Sequence, residues 1–353
     1  MKKLPDDRML PVEKLAACFN NTVATYKFYW LLSLLHFIEK EKTLVTKREM
    51  FACMISRAWY TINYFHISFG AQDRIQQAVQ QIRNYENLSI EKHQNEILDQ
   101  LIKSNNTNTI KTLVSFDTNV PHWFLSPWFP KETKDSIYSN SHSLKYLTPY
   151  ALEKEFISIN PIWANYLKKN AALIRDFCYW NLALFLQKRN PSVPDIPNKL
   201  IKPADRPSLR NQRIGFWDVV FDKHKEISCI YTGIKLIRDS YAVEHFVPYN
   251  FVSHNLIWNL IPANSTFNSI KSDKLPPPEV YFNPFFELQL KAIKCVAENA
   301  PKNKYLEEYL IMMPGILDAD KESIRIRFKE TIIPLISIAH NNGFEYLQKT
   351  KNG

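Results

Sequence analysis

The chain has 353 residues, enough for two domains of ordinary size, and 45% of them are hydrophobic, which is typical of an ordered globular protein. Its formal net charge is +10, and a cationic excess suits a polyanionic partner such as nucleic acid. Only six glycines occur, and none belongs to a glycine-rich phosphate-binding loop, which argues against a nucleotide site of that kind.

The cysteines and the apolar runs limit the cellular setting. The five cysteines include no CxxC pair, so neither a disulfide framework nor a four-thiolate zinc site is expected. The longest apolar run, Phe28 to Ile38, is too short to span a bilayer and contains a histidine. We therefore expect a cytoplasmic protein with reduced thiols and no membrane contact.

The first 190 residues are expected to be mainly helical. Bulky side chains are so frequent from Val23 to Ile38 that this helix must be buried on nearly all sides. Thr46 and Glu49 have the spacing of a capping box at the start of another helix. The further predicted elements are a helix at 90–103, an extended connection at 120–130 that contains three prolines, and a long helix at 162–188.

Prolines mark a boundary in the middle of the chain. They stand at Pro191, Pro194, Pro197, Pro203 and Pro207, a density that cannot sustain a helix. We therefore predict a helical domain for substrate or partner binding at 1–188, a proline-rich linker at 189–207, and a second domain at 208–353. Helices at 285–298, 302–313 and 321–340 are expected to end that domain.

The segment from 228 to 276 contains the candidate chemistry. It sets an acid beside a histidine at Glu244 and His245 and has asparagines at Asn259 and Asn268. The predicted elements are strands at 228–231 and 241–246 around a turn at 232–233, a loop at 252–262 and a helix at 264–273. This β-β-loop-α order would place the acid and the histidine opposite Asn268 on the helix.

This segment resembles the HNH endonuclease motif, the ββα-metal finger of many restriction, homing and defence nucleases. It is especially similar to the HNH module of the CRISPR RNA-guided endonucleases. The matching positions are Glu244, His245, Val247, Pro248, Asn259, Asn268, Lys271, Ser272, Asp273 and Pro276. The resemblance covers residues 229–276 and implies a mainly α protein with a C-terminal ββα-metal finger embedded in helices.

The resemblance also implies roles for these residues. His245 would be the general base that takes a proton from water. Glu244 and Asn268 would offer oxygen ligands to Mg²⁺ or Mn²⁺, because a sparse set of hard ligands completed by water suits such a cation. Structural or phosphate support is expected from Asn259, Lys271 and Asp273, of which the first would tie the loop to the strands.

Two positions depart from the family pattern. The acid is Glu244, where the RNA-guided nucleases have an aspartate, and the extra methylene requires a displaced metal or strand. Cys229 and Thr232 stand where many HNH proteins have the CxxC of a structural zinc. We therefore expect no structural zinc, and a finger braced by the surrounding helices and aromatic side chains.

The predicted function is metal-dependent cleavage of DNA, in restriction or antiviral defence. Basic residues before and within the second domain are candidates for contacts with the DNA backbone: Lys202, Arg206, Arg210, Arg213, Lys223 and Lys225. One finger cuts one strand, so a double-strand break would need two nicks or a homodimer, formed through the helical domain. The alternatives are a silent module that binds nucleic acid or protein, and a nuclease subunit of a multiprotein defence complex.

Overall fold

The structure is a computed structural model that describes residues 4–200 and 208–348. It is mainly α-helical, with a few short strands, as the sequence predicts. The described residues form two compact units: unit 1 comprises 4–191 and 196–200, and unit 2 comprises 192–195 and 208–348. Within these ranges no helix is both long and apolar enough to cross a membrane.

Unit 1 is built from helices and one small sheet. The helices are α1 (Val12–Ala17), α2 (Tyr26–Glu39), α3 (Lys47–Asn63), α4 (Arg74–Tyr85), α5 (Gln94–Lys103), α6 (Thr107–Val114), α7 (Val120–Phe124), α8 (Lys134–Asn140), α9 (Pro161–Lys169), α10 (Ala171–Gln187) and α11 (Ile196–Lys199). The strands β1 (Leu44–Thr46), β2 (Tyr150–Leu152) and β3 (Phe156–Ile159) pair antiparallel in the order β1-β3-β2.

Helices α2 and α3 form the core of unit 1. On α2, Trp30 is fully buried, and its indole N–H donates to the hydroxyl of Tyr150 at 2.9 Å. That hydroxyl donates in turn to the carbonyl of Pro121 at 2.7 Å. The buried indole N–H and the buried hydroxyl are therefore both satisfied. Helix α3 begins at the predicted capping box: the Thr46 hydroxyl accepts from the backbone N–H of Glu49 at 3.2 Å, and the Glu49 carboxylate accepts from the backbone N–H of Thr46 at 2.9 Å.

Three predictions for unit 1 are wrong. The segment 120–130 is not extended, because Pro121 lies in the first turn of α7, where the missing N–H removes no helical hydrogen bond. Helix α5 begins at Gln94 instead of residue 90. The long helix predicted at 162–188 is interrupted at Asn170, whose side chain donates to the carbonyl of Tyr166 at 2.9 Å and so competes with the backbone for that acceptor.

Unit 2 places a group of short strands between helices. In chain order it contains α12 (Arg210–Gln212), a π-helical turn (Arg213–Trp217), α13 (Asp218–His224), β4 (Ile227–Ser228), β5 (Lys235–Leu236), β6 (Ala242–His245), α14 (Tyr249–Val252), a 3₁₀ turn (Ile257–Asn259), β7 (Leu260–Ala263), α15 (Ser265–Lys271), α16 (Pro278–Asn299), α17 (Leu306–Met312) and α18 (Lys321–Asn341).

The strand pairing of unit 2 differs from the prediction. The turn at 232–233 joins β4 to β5, which pair with each other, while β6 pairs antiparallel with β7. The sequence assigned β7 to a loop, because its four residues include Pro262, which cannot donate to a ladder. In a two-stranded sheet each strand has an outer edge where that donor is not needed. The ββα finger is therefore β6-β7-α15.

Helix α16 supports the strand pair. The ring of Phe246, directly after β6, stacks on Phe285 of α16 with centroids 3.9 Å apart. The side-chain amide of Gln289, one turn further along α16, donates to the carbonyl of Leu260 at the start of β7 at 2.8 Å. Both contacts are buried, so the helix fixes the position of the strands on which the candidate residues lie.

Candidate active site

The strand pair and α15 determine where the candidate residues lie. On β6, Glu244 pairs with Ile261 and His245 with Leu260 of β7. Helix α15 begins at a side-chain cap, in which Asn264 Oδ1 accepts from the N–H of residue 267 at 3.0 Å. Asn268 precedes Lys271 by three residues, so the two share one face of α15.

One groove brings three of the predicted residues together. Glu244, His245 and Asn268 all line a cavity of about 320 Å³ on unit 2. Glu244 and His245 are only 3% and 6% exposed, so they reach the groove from within the protein. The arrangement collects a carboxylate, an imidazole and a carboxamide at one opening.

Glu244 is held by two donors. The Tyr231 hydroxyl donates to its Oε1 at 2.5 Å, and the ammonium of Lys271 lies 3.0 Å from its Oε2. The same ammonium donates to the backbone carbonyl of His245 at 2.8 Å. Burial and, secondarily, the negative charge of Glu244 hold the pKa of Tyr231 well above its usual range, so the tyrosine remains a donor at neutral pH.

The same contacts show where the side chain of Lys271 lies. Its side chain is 1% exposed, and that of Glu244 is 2% exposed, so the two form a buried ion pair. The sequence predicted structural support or a phosphate contact for this lysine, but its ammonium is turned into the protein, towards Glu244 and the carbonyl of His245. Contact with a phosphate would require it to leave Glu244.

His245 has a partner that the sequence did not indicate. Its Nε2 lies 2.9 Å from the Oδ1 of Asn255, in the loop between α14 and the 3₁₀ turn. The ring of Tyr249, which also lines the groove, has its centroid 5.4 Å from that of His245. The orientation of the imidazole is therefore set by an amide and an aromatic ring.

Asn259, at the end of the 3₁₀ turn, ties that turn to the chain just after β6. Its Oδ1 accepts from the backbone N–H of Val247 at 2.9 Å, and its Nδ2 donates to the carbonyl of the same residue at 2.9 Å. The side chain is fully buried. Asp273 is half-buried and lies just beyond α15, and it is not among the residues that line the groove.

The basic residues proposed for DNA contacts are placed unequally. Arg210 and Arg213 line a second cavity of about 450 Å³ that shares Leu209 and Val243 with the groove. Arg213 is partly engaged, since its guanidinium lies 4.5 Å from the centroid of the Tyr241 ring. Lys223 on α13 and Lys225 just after it are exposed and line neither cavity. The two other candidates, Lys202 and Arg206, lie outside the described residues.

The donor set fits a sparsely coordinated hard cation. Glu244 offers carboxylate oxygens and Asn268 an amide oxygen at the same groove. Within residues 4–200 and 208–348 no group of three or more His, Cys, Asp or Glu side chains is arranged to hold a metal. Mg²⁺ needs no such cage, because it keeps several waters and also binds substrate phosphates.

Cys229 is buried beside the finger. Its sulfur accepts from the backbone N–H of Asn264 at 3.5 Å, and its backbone closes the turn before β5, since Gly233 N–H donates to its carbonyl at 2.9 Å. Gly233 has a φ of +70°, which favours glycine. The thiol thus contacts the cap residue of α15.

Sequence reasoning missed two residues of the site. Tyr231 follows β4 and contacts Glu244 across the finger, and a tyrosine in a β-prone run gives no signal beyond strand propensity. Asn255 lies in a loop of mixed composition. A polar residue within reach of a predicted general base was the signal to look for, but loop geometry decides which residue it is.

Comparison with known proteins finds a family match in the segment that contains these residues. Residues 229–277 match the family model for HNH endonucleases, so this segment carries the motif that the sequence predicted. HNH endonucleases generally depend on a divalent metal.

A particular relative is similar over a longer stretch. The CRISPR-associated endonuclease Cas9 of Listeria innocua serovar 6a is 30% identical to this chain over 94 residues, which are 25% of this chain and 7% of Cas9. The similarity is therefore confined to a small part of that protein's length. No solved structure shows a significant match to this chain.

Proposed function

We propose that this protein is a metal-dependent HNH endonuclease that hydrolyses phosphodiester bonds in DNA. The observation that carries the proposal is the single groove lined by Glu244, His245 and Asn268. All three residues lie within the segment that matches the HNH endonuclease family, which supports nuclease activity on nucleic acid in general.

In the proposed reaction His245 is the general base. A neutral imidazole accepts a proton from the attacking water near neutral pH. Glu244 and Asn268 would hold Mg²⁺ or Mn²⁺, and such a cation would supply Lewis-acid stabilisation of the phosphate and of the leaving oxygen. Lys271 and Tyr231 hold the carboxylate of Glu244 in place.

The DNA backbone is proposed to follow the second cavity. Arg210 and Arg213 line it next to the groove, which supports contacts with phosphates on one side of the scissile bond. Lys223, Lys225 and Arg206 stay predictions. One finger cuts one strand, so pairing of two copies through the helical unit, or two successive nicks, is required for a double-strand break.

Nicking of supercoiled plasmid tests the proposal. Wild type with Mg²⁺ or Mn²⁺ is expected to convert supercoiled DNA to the open-circular form, and EDTA is expected to abolish the conversion. His245→Ala is expected to slow it by about 10²–10⁴-fold, the usual contribution of a general base. His93→Ala is the control, because His93 is exposed in unit 1 and makes no side-chain cap bond.

A silent binding module is the second candidate. It is favoured by the two donors that already occupy Glu244. Equal inactivity of wild type and His245→Ala across metals, combined with retained DNA binding in a gel-shift assay, would support it.

The proposed biological setting is restriction or antiviral defence, as a single enzyme or as the nuclease subunit of a defence complex. The partial similarity to a CRISPR-associated endonuclease supports it. Phage plating on cells that express wild type or His245→Ala tests this setting, and equal plaque counts would contradict it.

A further inference from the structure

The backbone on both sides of the Asn255 side chain is held by hydrogen bonds. Its backbone carbonyl accepts from the side-chain amide of Gln212 on α12 at 3.3 Å. The next backbone N–H, that of Leu256, donates to the Nδ1 of His254 at 3.3 Å. The residue is half-buried. The loop therefore presents the amide of Asn255 at a defined position beside β6.

The contact with His245 selects one tautomer of the ring. An amide oxygen only accepts hydrogen bonds, so the 2.9 Å contact between Asn255 Oδ1 and His245 Nε2 requires the proton on Nε2. In a neutral imidazole the lone pair that accepts a proton is then on Nδ1. Once Nδ1 has taken a proton, Nε2 still donates to the same oxygen, so the contact serves both states of the ring.

His245 also contacts Lys271, but through its backbone carbonyl. Lys271 donates to the backbone carbonyl of His245 at 2.8 Å, which holds the strand and does not act on either ring nitrogen. Tyr249 packs against the ring with an interplanar angle of 60° and offers no choice between the two nitrogens. Of these three contacts, the one with Asn255 distinguishes the two nitrogens, because it is made at Nε2.

We infer that Asn255 is a positioning residue for the general base: it fixes the imidazole of His245 as the Nε2–H tautomer, with Nδ1 as the proton acceptor. This inference rests on the proposed nuclease function only for its consequence for rate. The tautomer itself is a property of the metal-free protein.

The test combines a spectroscopic and a kinetic measurement. Three forms are compared: wild type, Asn255→Leu, which keeps the side-chain size without an acceptor, and Asn255→Asp, which restores an acceptor oxygen. Protein labelled with ¹⁵N-histidine, without metal, is studied by long-range ¹H–¹⁵N correlation, and His245→Gln identifies the signal of residue 245 among the nine histidines. Wild type and Asn255→Asp are expected to show the Nε2–H pattern, and Asn255→Leu a mixture of tautomers.

In plasmid nicking, Asn255→Leu is expected to lower kcat by about 10–100-fold with KM unchanged, as for other residues that orient a reactive group, and Asn255→Asp to recover most of the loss. An Nε2–H pattern in Asn255→Leu equal to that of wild type would overturn the inference. So would equal kinetic losses in both variants at an unchanged melting temperature. If wild type does not cut DNA, the proposed function fails, while the NMR comparison still decides the role of Asn255.

Discussion

Each unit of this protein contains a carboxylate that contacts both a lysine and a tyrosine. In unit 1 the ammonium of Lys47 lies 2.9 Å from Asp117 and donates to the Tyr138 hydroxyl at 2.6 Å. It also donates to the carbonyl of Lys154 at 2.9 Å. The ammonium is therefore bound by three groups of the protein.

The corresponding group in unit 2 differs in burial and in its neighbours. The side chain of Asp117 is 31% exposed, whereas that of Glu244 is 2% exposed. Glu244 also lies next to His245 and opposite Asn268 at one groove. The same three side-chain types thus serve packing in one place and a candidate active site in the other, and the neighbours make the difference.

A second pair of similar contacts supports the same lesson. Asn190 of unit 1 accepts from the N–H of Ser68 at 3.0 Å and donates to the carbonyl of Ser68 at 2.8 Å. Asn259 of unit 2 clamps Val247 in the same way. The second clamp, unlike the first, holds the residue two positions after a groove-lining histidine, His245, so the clamp is a structural device that the candidate site uses.

Replacement of the two lysines should give the largest difference in stability loss between the two groups. Lys271→Met leaves the carboxylate of Glu244 buried without its partner, and we expect unit 2 to lose about 3–5 kcal/mol of stability. Lys47→Met should cost less, about 1–3 kcal/mol, because the half-exposed Asp117 regains water. Hydrogen exchange of peptides from α15 and α3, in the intact chain under urea, measures each unit separately.

A double variant controls for the loss of side-chain packing. Glu244→Gln combined with Lys271→Met removes both charges, and it should be more stable than Lys271→Met alone. If Lys47→Met destabilises its unit as much as Lys271→Met does, the difference in burial is not what distinguishes the two groups.

Truncation of the two amides is the next test. Asn259→Ala leaves the buried N–H and carbonyl of Val247 without these partners and should cost about 2–4 kcal/mol. Asn190→Ala does the same to the half-buried backbone of Ser68 and should cost less. Only Asn259→Ala should also slow plasmid nicking, because Val247 is two residues after His245. Urea denaturation and nicking at a temperature where both variants are folded check this, and equal activity of the two variants would contradict it.

The sequence predicted which residues meet at the groove of unit 2 better than it predicted their other contacts. The acid, the histidine and the asparagines were found because they lie within one short stretch at a known spacing, and the mainly helical class followed from composition and periodicity. Strand β7 was missed because Pro262 and a length of four residues resemble a loop. The pairing of Lys271 with Glu244 was missed because it depends on how α15 lies against β6.

The lysine group of unit 1 gave no comparable signal. Lys47, Asp117 and Tyr138 are spread over the chain, and no spacing rule relates them. Side-chain contacts of this kind depend on how helices such as α3 and α8 pack in the folded protein. Propensity and periodicity do not predict that packing. Their location became clear only from the fold.

Loss of the two tyrosine hydroxyls should have a smaller effect. Tyr231→Phe removes a 2.5 Å bond to a buried carboxylate, which should cost about 1.5–3 kcal/mol. Tyr138→Phe loses a 3.4 Å bond to the half-exposed Asp117 and a donor contact from Lys47, and about 0.5–1.5 kcal/mol is expected. Thermal unfolding of the two variants ranks them, and the reverse order would break the comparison.

The smallest expected effect is a pH dependence in unit 1. Burial lowers the pKa of His122 to about 4, with a further lowering by Lys134 and Lys47 and an opposing effect of Asp117. An unfolded histidine titrates near 6.5, so between these values the unfolded chain binds a proton that the folded chain does not. Stability present above pH 6.5 is therefore lost as the pH falls towards 4.

His122→Phe should remove this dependence and keep the apolar packing, since His122 Nδ1 is buried and makes no hydrogen bond within the described part of the chain. The stability difference between pH 7.5 and pH 5.5 should shrink by about 1 kcal/mol in the variant. Hydrogen exchange of α7 peptides at the two pH values, corrected for intrinsic exchange rates, measures it. Because Lys47 and Asp117 act on His122 from the same group, an unchanged difference would mean that their charges already compensate its burial.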